Sequence, residues 1–275
     1  MIVDYHMHLR RGPVGQSEEV DHTPAALTPY LETAAERGVD EIGFTEHVYY
    51  FRQTREIWIN EYERQRCVHD LDLYCETILD AKRQGMPVKL GLEVDYVGER
   101  QDRLAELLAG YPWDFLLGSV HYIGTLAIDQ LPGIWADDSV EDAWRRYVEA
   151  LVELAGTGCV DVLAHPDLPK IFSQRPEPVV LAELHGEIAD TAARTGVALE
   201  ISTAGLRKPV GELYPDPPLL RAAVERGVPI TLASDAHLPV DVGRDFDEAV
   251  ALARQAGCET VSVFEGRKGR QEPLD

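Results

Sequence analysis

Short apolar runs alternate along the chain with longer stretches in which apolar residues return every three or four positions. The runs cover residues 2–5, 41–44, 88–92, 115–120, 161–164, 198–201 and 229–233, with 260–264 an eighth candidate. The stretches of helical period cover 27–37, 68–84, 140–155, 179–195 and 219–226. Gly38, Gly85, Gly196, Gly227 and Gly257 each follow a helical run and precede a strand within a few residues. Glycine accepts the left-handed backbone that stops a helix, so the five positions repeat one helix-stop-strand signal. Ser139-Val140-Glu141-Asp142 resembles a capping box at the start of the third helix. Seven or eight such units in 275 residues predict an α/β fold with parallel strands. A barrel accommodates them better than an open sheet. Residues 48–67, polar and aromatic, are read as a loop or lid over one mouth. No Gly/Ser linker divides the chain, which predicts one domain over 1–275.

Composition narrows the partners. With 45% hydrophobic residues the chain has enough apolar material for a core. Lys and Arg number 26 against 48 Asp and Glu, a net charge of −22. That balance argues against a nucleic-acid groove, where cations must neutralise phosphates. It also leaves no polybasic patch for an anionic membrane. No apolar run is long enough to span a bilayer, and the N-terminus reads as a strand rather than a leader. Cys67, Cys75, Cys159 and Cys258 form no CxxC pair, so reduced thiols in a cytoplasmic protein are expected.

The candidate chemistry sits at the strand ends. His6 and His8 end the first strand and Glu46-His47 the second. Glu93 ends the third, His121 the fourth and His165 the fifth. Glu200 lies on the sixth strand, and Asp235-Ala236-His237 follows the seventh. In a (β/α) barrel the C-terminal strand ends converge on one face, where active sites are built. Residues i and i+2 of an extended segment share a side, so His6 with His8, and Asp235 with His237, can grip a common ion. Imidazole mixed with carboxylate suits zinc, manganese or iron rather than calcium. His6, His8, His47, Glu93, His121, His165, Asp235 and His237 make eight candidates, too many for one tetrahedral site and enough for two or three divalent ions. His22, His69 and His185 lie elsewhere, and His69 and His185, in helical runs, are read as surface or packing residues.

The ordered blocks His6-Met7-His8, Gly43-Phe44-Thr45-Glu46-His47, Gly91-Leu92-Glu93-Val94-Asp95, Gly118-Ser119-Val120-His121, His165-Pro166-Asp167-Leu168 and Ser234-Asp235-Ala236-His237 resemble the PHP (polymerase and histidinol phosphatase) superfamily. Two further stretches are similar to its histidinol-phosphate phosphatase branch: 200–212, and Trp113-Asp114-Phe115 leading into Gly118–Ile123. The resemblance implies a distorted (β/α)7 TIM-like barrel and a trinuclear metal centre. It also implies hydrolysis of L-histidinol phosphate to L-histidinol and phosphate in histidine biosynthesis. On that pattern His6, His8, Glu93 and Asp235 hold one ion, Glu93 bridges to a second with His121 and His165, and His47 with His237 take a third. Relatives supply a further ligand shortly after the HxH, yet residues 9–20 contain no His or Asp. Glu18, Asp21 and His22 stand as substitutes.

The expected reaction is in-line attack by a metal-activated water without a phospho-enzyme, with Asp235 and His237 as proton-transfer groups. Arg207 and Lys170 are the expected phosphate-binding cations. For the substrate amine, Glu46, Asp95 and Asp167 are placed by location, and Tyr5, Tyr122 and Tyr49–Phe51 are aromatic candidates for the imidazole. Three rivals stand beside this reading. One is a PHP phosphoesterase acting on nucleotides, oligonucleotide ends or phosphotyrosine. Another is an inactive PHP domain with a binding or regulatory role. The third is an amidohydrolase, which typically needs a carbamylated lysine that no strand end here offers.

Overall fold

In the computed structural model, residues 1–9, 21–130 and 139–275 are described. Eight strands carry the frame. Strands β1 (Val3–Asp4), β2 (Glu41–Phe44) and β3 (Val88–Leu90) form one parallel sheet. Strands β4 (Glu93–Asp95) and β5 (Leu117–Ser119) belong to a second, beyond which the chain makes a small hairpin, β6 (Tyr122–Ile123) and β7 (Leu126–Ala127). The second sheet continues through β8 (Val162–Leu163), β9 (Ala198–Ser202) and β10 (Ile230–Ala233), in the order β10-β9-β8-β5-β4, every neighbour parallel. Backbone bonds join the sheets at both edges. Tyr5 N–H donates to the Leu232 carbonyl at 3.1 Å, and Glu93 N–H to the Glu46 carbonyl at 3.0 Å. The result is the α/β fold with parallel strands that the alternating pattern predicts, its two sheets joined into a barrel-like frame, and the C-terminal ends of the strands gather at one mouth.

The third strand differs from its sequence reading. Residues 88–92 do not run through as one strand; the chain breaks at Gly91-Leu92 and moves from one sheet to the other. The crossing is tight. A Cβ on Gly91 would lie 2.7 Å from the Phe115 ring and 2.8 Å from the Thr45 methyl, so only glycine fits without a shift. The eighth candidate strand also differs. It becomes β11 (Thr260–Glu265), which pairs antiparallel with β12 (Lys268–Pro273), a surface hairpin outside the parallel sheets.

Helices fill the connections: α1 (Pro24–Glu36), α2 (Glu61–Arg66), α3 (Leu71–Arg83), α4 (Gln101–Leu108), α5 (Val140–Gly156), α6 (Pro178–Thr195), α7 (Pro217–Glu225) and α8 (Phe246–Ala256). Ser139 caps α5 as its sequence suggests, its Oγ accepting from the Asp142 N–H at 3.0 Å. The segment 48–67 is not a bare loop. It holds two 3-10 turns and α2, and Val48, Tyr49, Tyr50 and Phe51 are all buried.

Candidate metal centre

Beyond β1 the extended chain continues beside residues 232–236, with Met7 bridged to Ala236, so His6 and His8 project from one side next to Asp235. His6 Nε2 and His8 Nε2 lie 3.7 and 3.4 Å from Asp235 Oδ1. Glu93 stands between two groups of imidazoles. Its Oε2 faces His47 Nδ1 at 2.7 Å, His6 Nε2 at 3.4 Å and His8 Nε2 at 3.6 Å. Its Oε1 faces His165 Nε2 at 3.2 Å and His121 Nε2 at 3.4 Å. His237 completes the mouth, its ring 4.3 Å from that of His8 and its Nδ1 3.4 Å from Asp235 Oδ1. All eight strand-end residues are thus drawn into overlapping triplets: His6-His8-Asp235, His6-Glu93-His165, His47-Glu93-His121 and His8-His47-His237.

The chemistry of these atoms suits divalent transition metals. His6, His8 and Glu93 are fully buried, yet His6 Nε2, both ring nitrogens of His8, His47 Nδ1 and Glu93 Oε2 have no hydrogen-bond partner among the described residues. Buried polar atoms that face one another without donors between them are what a ligand shell leaves when only protein atoms are counted. The electrostatics agree. Burial alone would strip the proton from His121, but Glu93 and Asp95 outweigh it and push the imidazole up to about 10. Burial likewise opposes charge on Glu93, yet His47, His6 and His121 hold its carboxyl well below the usual range. Burial, His8 and His121 instead lower the His47 imidazole, which leaves it neutral and free to ligate. Two members of the cluster also occupy strained backbone, His165 with φ 28° and Asp235 with φ 50°.

Behind the histidines stand carboxylates whose roles sequence reasoning did not assign. Glu200 Oε2 faces His6 Nδ1 at 2.8 Å, while its Oε1 accepts the His165 backbone N–H at 3.1 Å. Asp95 Oδ1 is 2.6 Å from His121 Nδ1. Glu46 Oε2 faces His8 Nδ1 at 3.7 Å, and its Oε1 accepts from the Leu9 N–H at 2.5 Å. The available signal was a lone carboxylate in the middle of the apolar run Ala198-Leu199-Glu200-Ile201.

Several expectations change. Lys170 is fully buried, and its ammonium faces the Leu213 carbonyl at 2.7 Å, Asp216 at 2.6 Å and Asp167 at 2.9 Å. Its three donors are occupied, so it is corrected from a phosphate ligand to the centre of an internal ion-pair cluster. Asp167 is committed to the same cluster, and Glu46 and Asp95 to histidines, which removes all three as amine partners. Tyr5 is buried against Phe115 and Phe264, with its hydroxyl on Glu41 at the start of β2, away from the mouth. Of the two alternatives for His185, surface or packing, burial selects packing. Of the substitutes for the ligand after the HxH, Glu18 lies outside the described residues. His22 packs on Phe51 with its Nε2 3.9 Å from Glu46, and neither it nor Asp21 joins a metal-holding group among the described residues.

Arg207 ends a short turn after β9. It donates to the Thr203 carbonyl at 3.3 Å and to the Ser234 carbonyl, which directly precedes Asp235. The guanidinium is therefore tethered beside the cluster while its side chain stays 19% exposed.

Comparison with known proteins gives one direction. The PHP domain family matches residues 16–204. A probable histidinol-phosphatase of Deinococcus radiodurans is 38% identical over 90% of this chain and 95% of its own. The histidinol-phosphatase of Bacillus subtilis is 25% identical over 89% of this chain and 96% of its own. Among solved structures, the histidinol phosphate phosphatase of Lactococcus lactis complexed with zinc, L-histidinol and phosphate superposes with a TM-score of 0.74 at 23% identity, covering 98% of both chains.

Proposed function

The chain belongs to the PHP domain family, and from that premise we propose that it is a cytoplasmic, metal-dependent histidinol-phosphate phosphatase, splitting L-histidinol phosphate with water into L-histidinol and phosphate. The observation that carries the reading is Glu93, one buried carboxylate shared by five imidazoles. In that arrangement His6, His8, Glu93 and Asp235 would hold one divalent ion, and Glu93 with His121 and His165 a second. His47 and His237 would hold a third, with His8 the nearest further histidine. Such ions lower the pKa of water and neutralise phosphoryl charge.

The protein's own groups do the rest. Arg207, fixed by the Thr203 and Ser234 carbonyls, presents its remaining donors to phosphate oxygens beside the cluster. Asp235 and His237 sit at the partly exposed rim, with side chains 14% and 18% accessible. Neighbouring His6 and His237 overcome burial and hold the Asp235 carboxyl well below its ordinary range, so it is ionised at neutral pH. In this reading the pair would take a proton from the attacking water and return one to the departing alkoxide. The net charge of −22 favours a small monoester over nucleic acid.

The test is phosphate release by metal-loaded protein from L-histidinol phosphate beside AMP, a short DNA with a terminal phosphate and a phosphotyrosine peptide. Histidinol phosphate should give the highest kcat/KM by at least about tenfold, the selectivity that one extra charge-assisted contact provides. A higher value for any of the other three would replace the substrate assignment.

A further inference from the structure

With Glu46, Asp95 and Asp167 committed elsewhere, the leaving group lacks an acidic partner among the residues that sequence position suggests. The structure offers another. A cavity of about 290 Å3 lies between α2 and the turn after β4, walled by Trp58, Tyr96 and Tyr122. Two of its lining residues adjoin the histidine cluster along the chain. Tyr96 follows Asp95, the carboxylate on His121, and Tyr122 follows His121 itself. Tyr49 stacks on His47 at 4.7 Å and meets Trp58 edge-on at 6.0 Å.

Glu63, on α2, lines this cavity and is only 4% exposed. Its Oε1 accepts from Asn60 Nδ2 at 3.3 Å, while Oε2 has no hydrogen-bond partner among the described residues. A buried acceptor left in that state is costly unless a bound donor meets it. The cation on the cavity wall, Arg100, forms no ion pair with Glu63 among the described residues and turns its Nη1 to the carbonyls of Ile57 and Trp58, at 2.8 and 3.3 Å. Glu99, the other acidic residue lining the cavity, is exposed and solvated. Burial raises the Glu63 carboxyl, Asp95 adds to that rise and His121 opposes it, so a cationic ligand would restore its charge. Flat aromatic walls around one buried carboxylate fit a cationic heteroaromatic ring.

We propose that Glu63 is a specificity-determining residue that accepts the ring N–H of the substrate's imidazolium, with the ring lying against Trp58, Tyr96 and Tyr122. This rests on the histidinol-phosphate reading above.

The experiment compares metal-loaded full-length parent and Glu63→Gln, a substitution that keeps size and the contact to Asn60. It measures kcat/KM for L-histidinol phosphate and for p-nitrophenyl phosphate, whose leaving group carries no cation, and inhibition of the second reaction by L-histidinol. The ratio of the two kcat/KM values should fall about tenfold or more, and the L-histidinol inhibition constant should rise similarly, as expected for losing a charge-assisted hydrogen bond. An unchanged ratio overturns the assignment. So does an equal fall on both substrates, which would make Glu63 a support of the fold. A parent that hydrolyses p-nitrophenyl phosphate but not histidinol phosphate contradicts the functional reading instead, and the L-histidinol arm then decides Glu63 by itself.

Discussion

Glu200 shows how one side chain can govern a site without touching its contents. One oxygen faces the outward nitrogen of His6, and the other takes the backbone N–H of His165, whose φ of 28° is otherwise unfavourable. Through both bonds it fixes where two imidazoles point. Glu200→Gln should therefore weaken metal binding about 10–100-fold, with little change in the far-UV spectrum. Metal titration against a competing chelator reads this directly, and parent-like affinity would remove Glu200 from that role. At this scale the sequence was most legible where spacing along one extended segment did the work, as in His6-Met7-His8, whose two histidines share a metal-holding group. Asp235 and His237 do not share one among the described residues, because Asp235 takes a left-handed backbone with φ 50° that breaks the extended alternation. It was least legible where partners come from different strands. Which carboxylate stands behind which histidine depends on register between strands, and nothing local to Glu200 or Asp95 records it. Lys170 shows the same limit. Its nearness to His165 in the chain suggested phosphate, whereas Asp216, 46 positions on, decides its environment.

Among the elements, the helix-stop glycines and alternating runs marked most strands and long helices to within a few residues. The exceptions have physical reasons. Residues 88–92 look like one apolar strand because the sidestep between sheets is made by Gly91-Leu92, and an apolar pattern does not register a change of partner. The short helix α4 lacked a long periodic run, and the aromatic segment 48–67 reads as a lid although Val48–Phe51, Ile57 and Trp58 belong to the core. The sidestep makes its own prediction. Gly91→Ala pushes a methyl into Phe115 and Thr45 and should cost about 1–3 kcal/mol, seen as a lower denaturant midpoint. An unchanged midpoint would mean that Phe115 moves aside freely. Because Gly91 delivers Glu93 to the mouth, the variant should also bind metal less tightly.

Across the whole molecule, the net charge of −22 and the local chemistry point different ways, and the structure reconciles them. Glu93 and Asp235 face histidines, Glu46, Asp95 and Glu200 stand behind those histidines, and Asp167 and Asp216 surround Lys170. The Lys170 cluster also shapes acid stability. Burial, with Lys170 and Arg175 nearby, lowers the His185 imidazole to about 4 against the partial opposition of Asp216. An unfolded histidine titrates near 6.5, so between those values the unfolded chain binds the extra proton and acid favours unfolding. His185→Gln should remove about 2–3 kcal/mol of the stability lost between pH 7 and 4.5, measured by urea unfolding at both pH values. A parent-like difference would show that His185 is protonated in the folded state.

The central claim is that the mouth of this barrel is a divalent-metal centre performing phosphomonoester hydrolysis. Its most direct test is phosphate release from L-histidinol phosphate by protein stripped with a chelator and reloaded with zinc or manganese, with bound metal counted by elemental analysis. The account predicts negligible release from stripped protein and recovery as about two to three ions bind per chain. Full activity with no metal bound would contradict it.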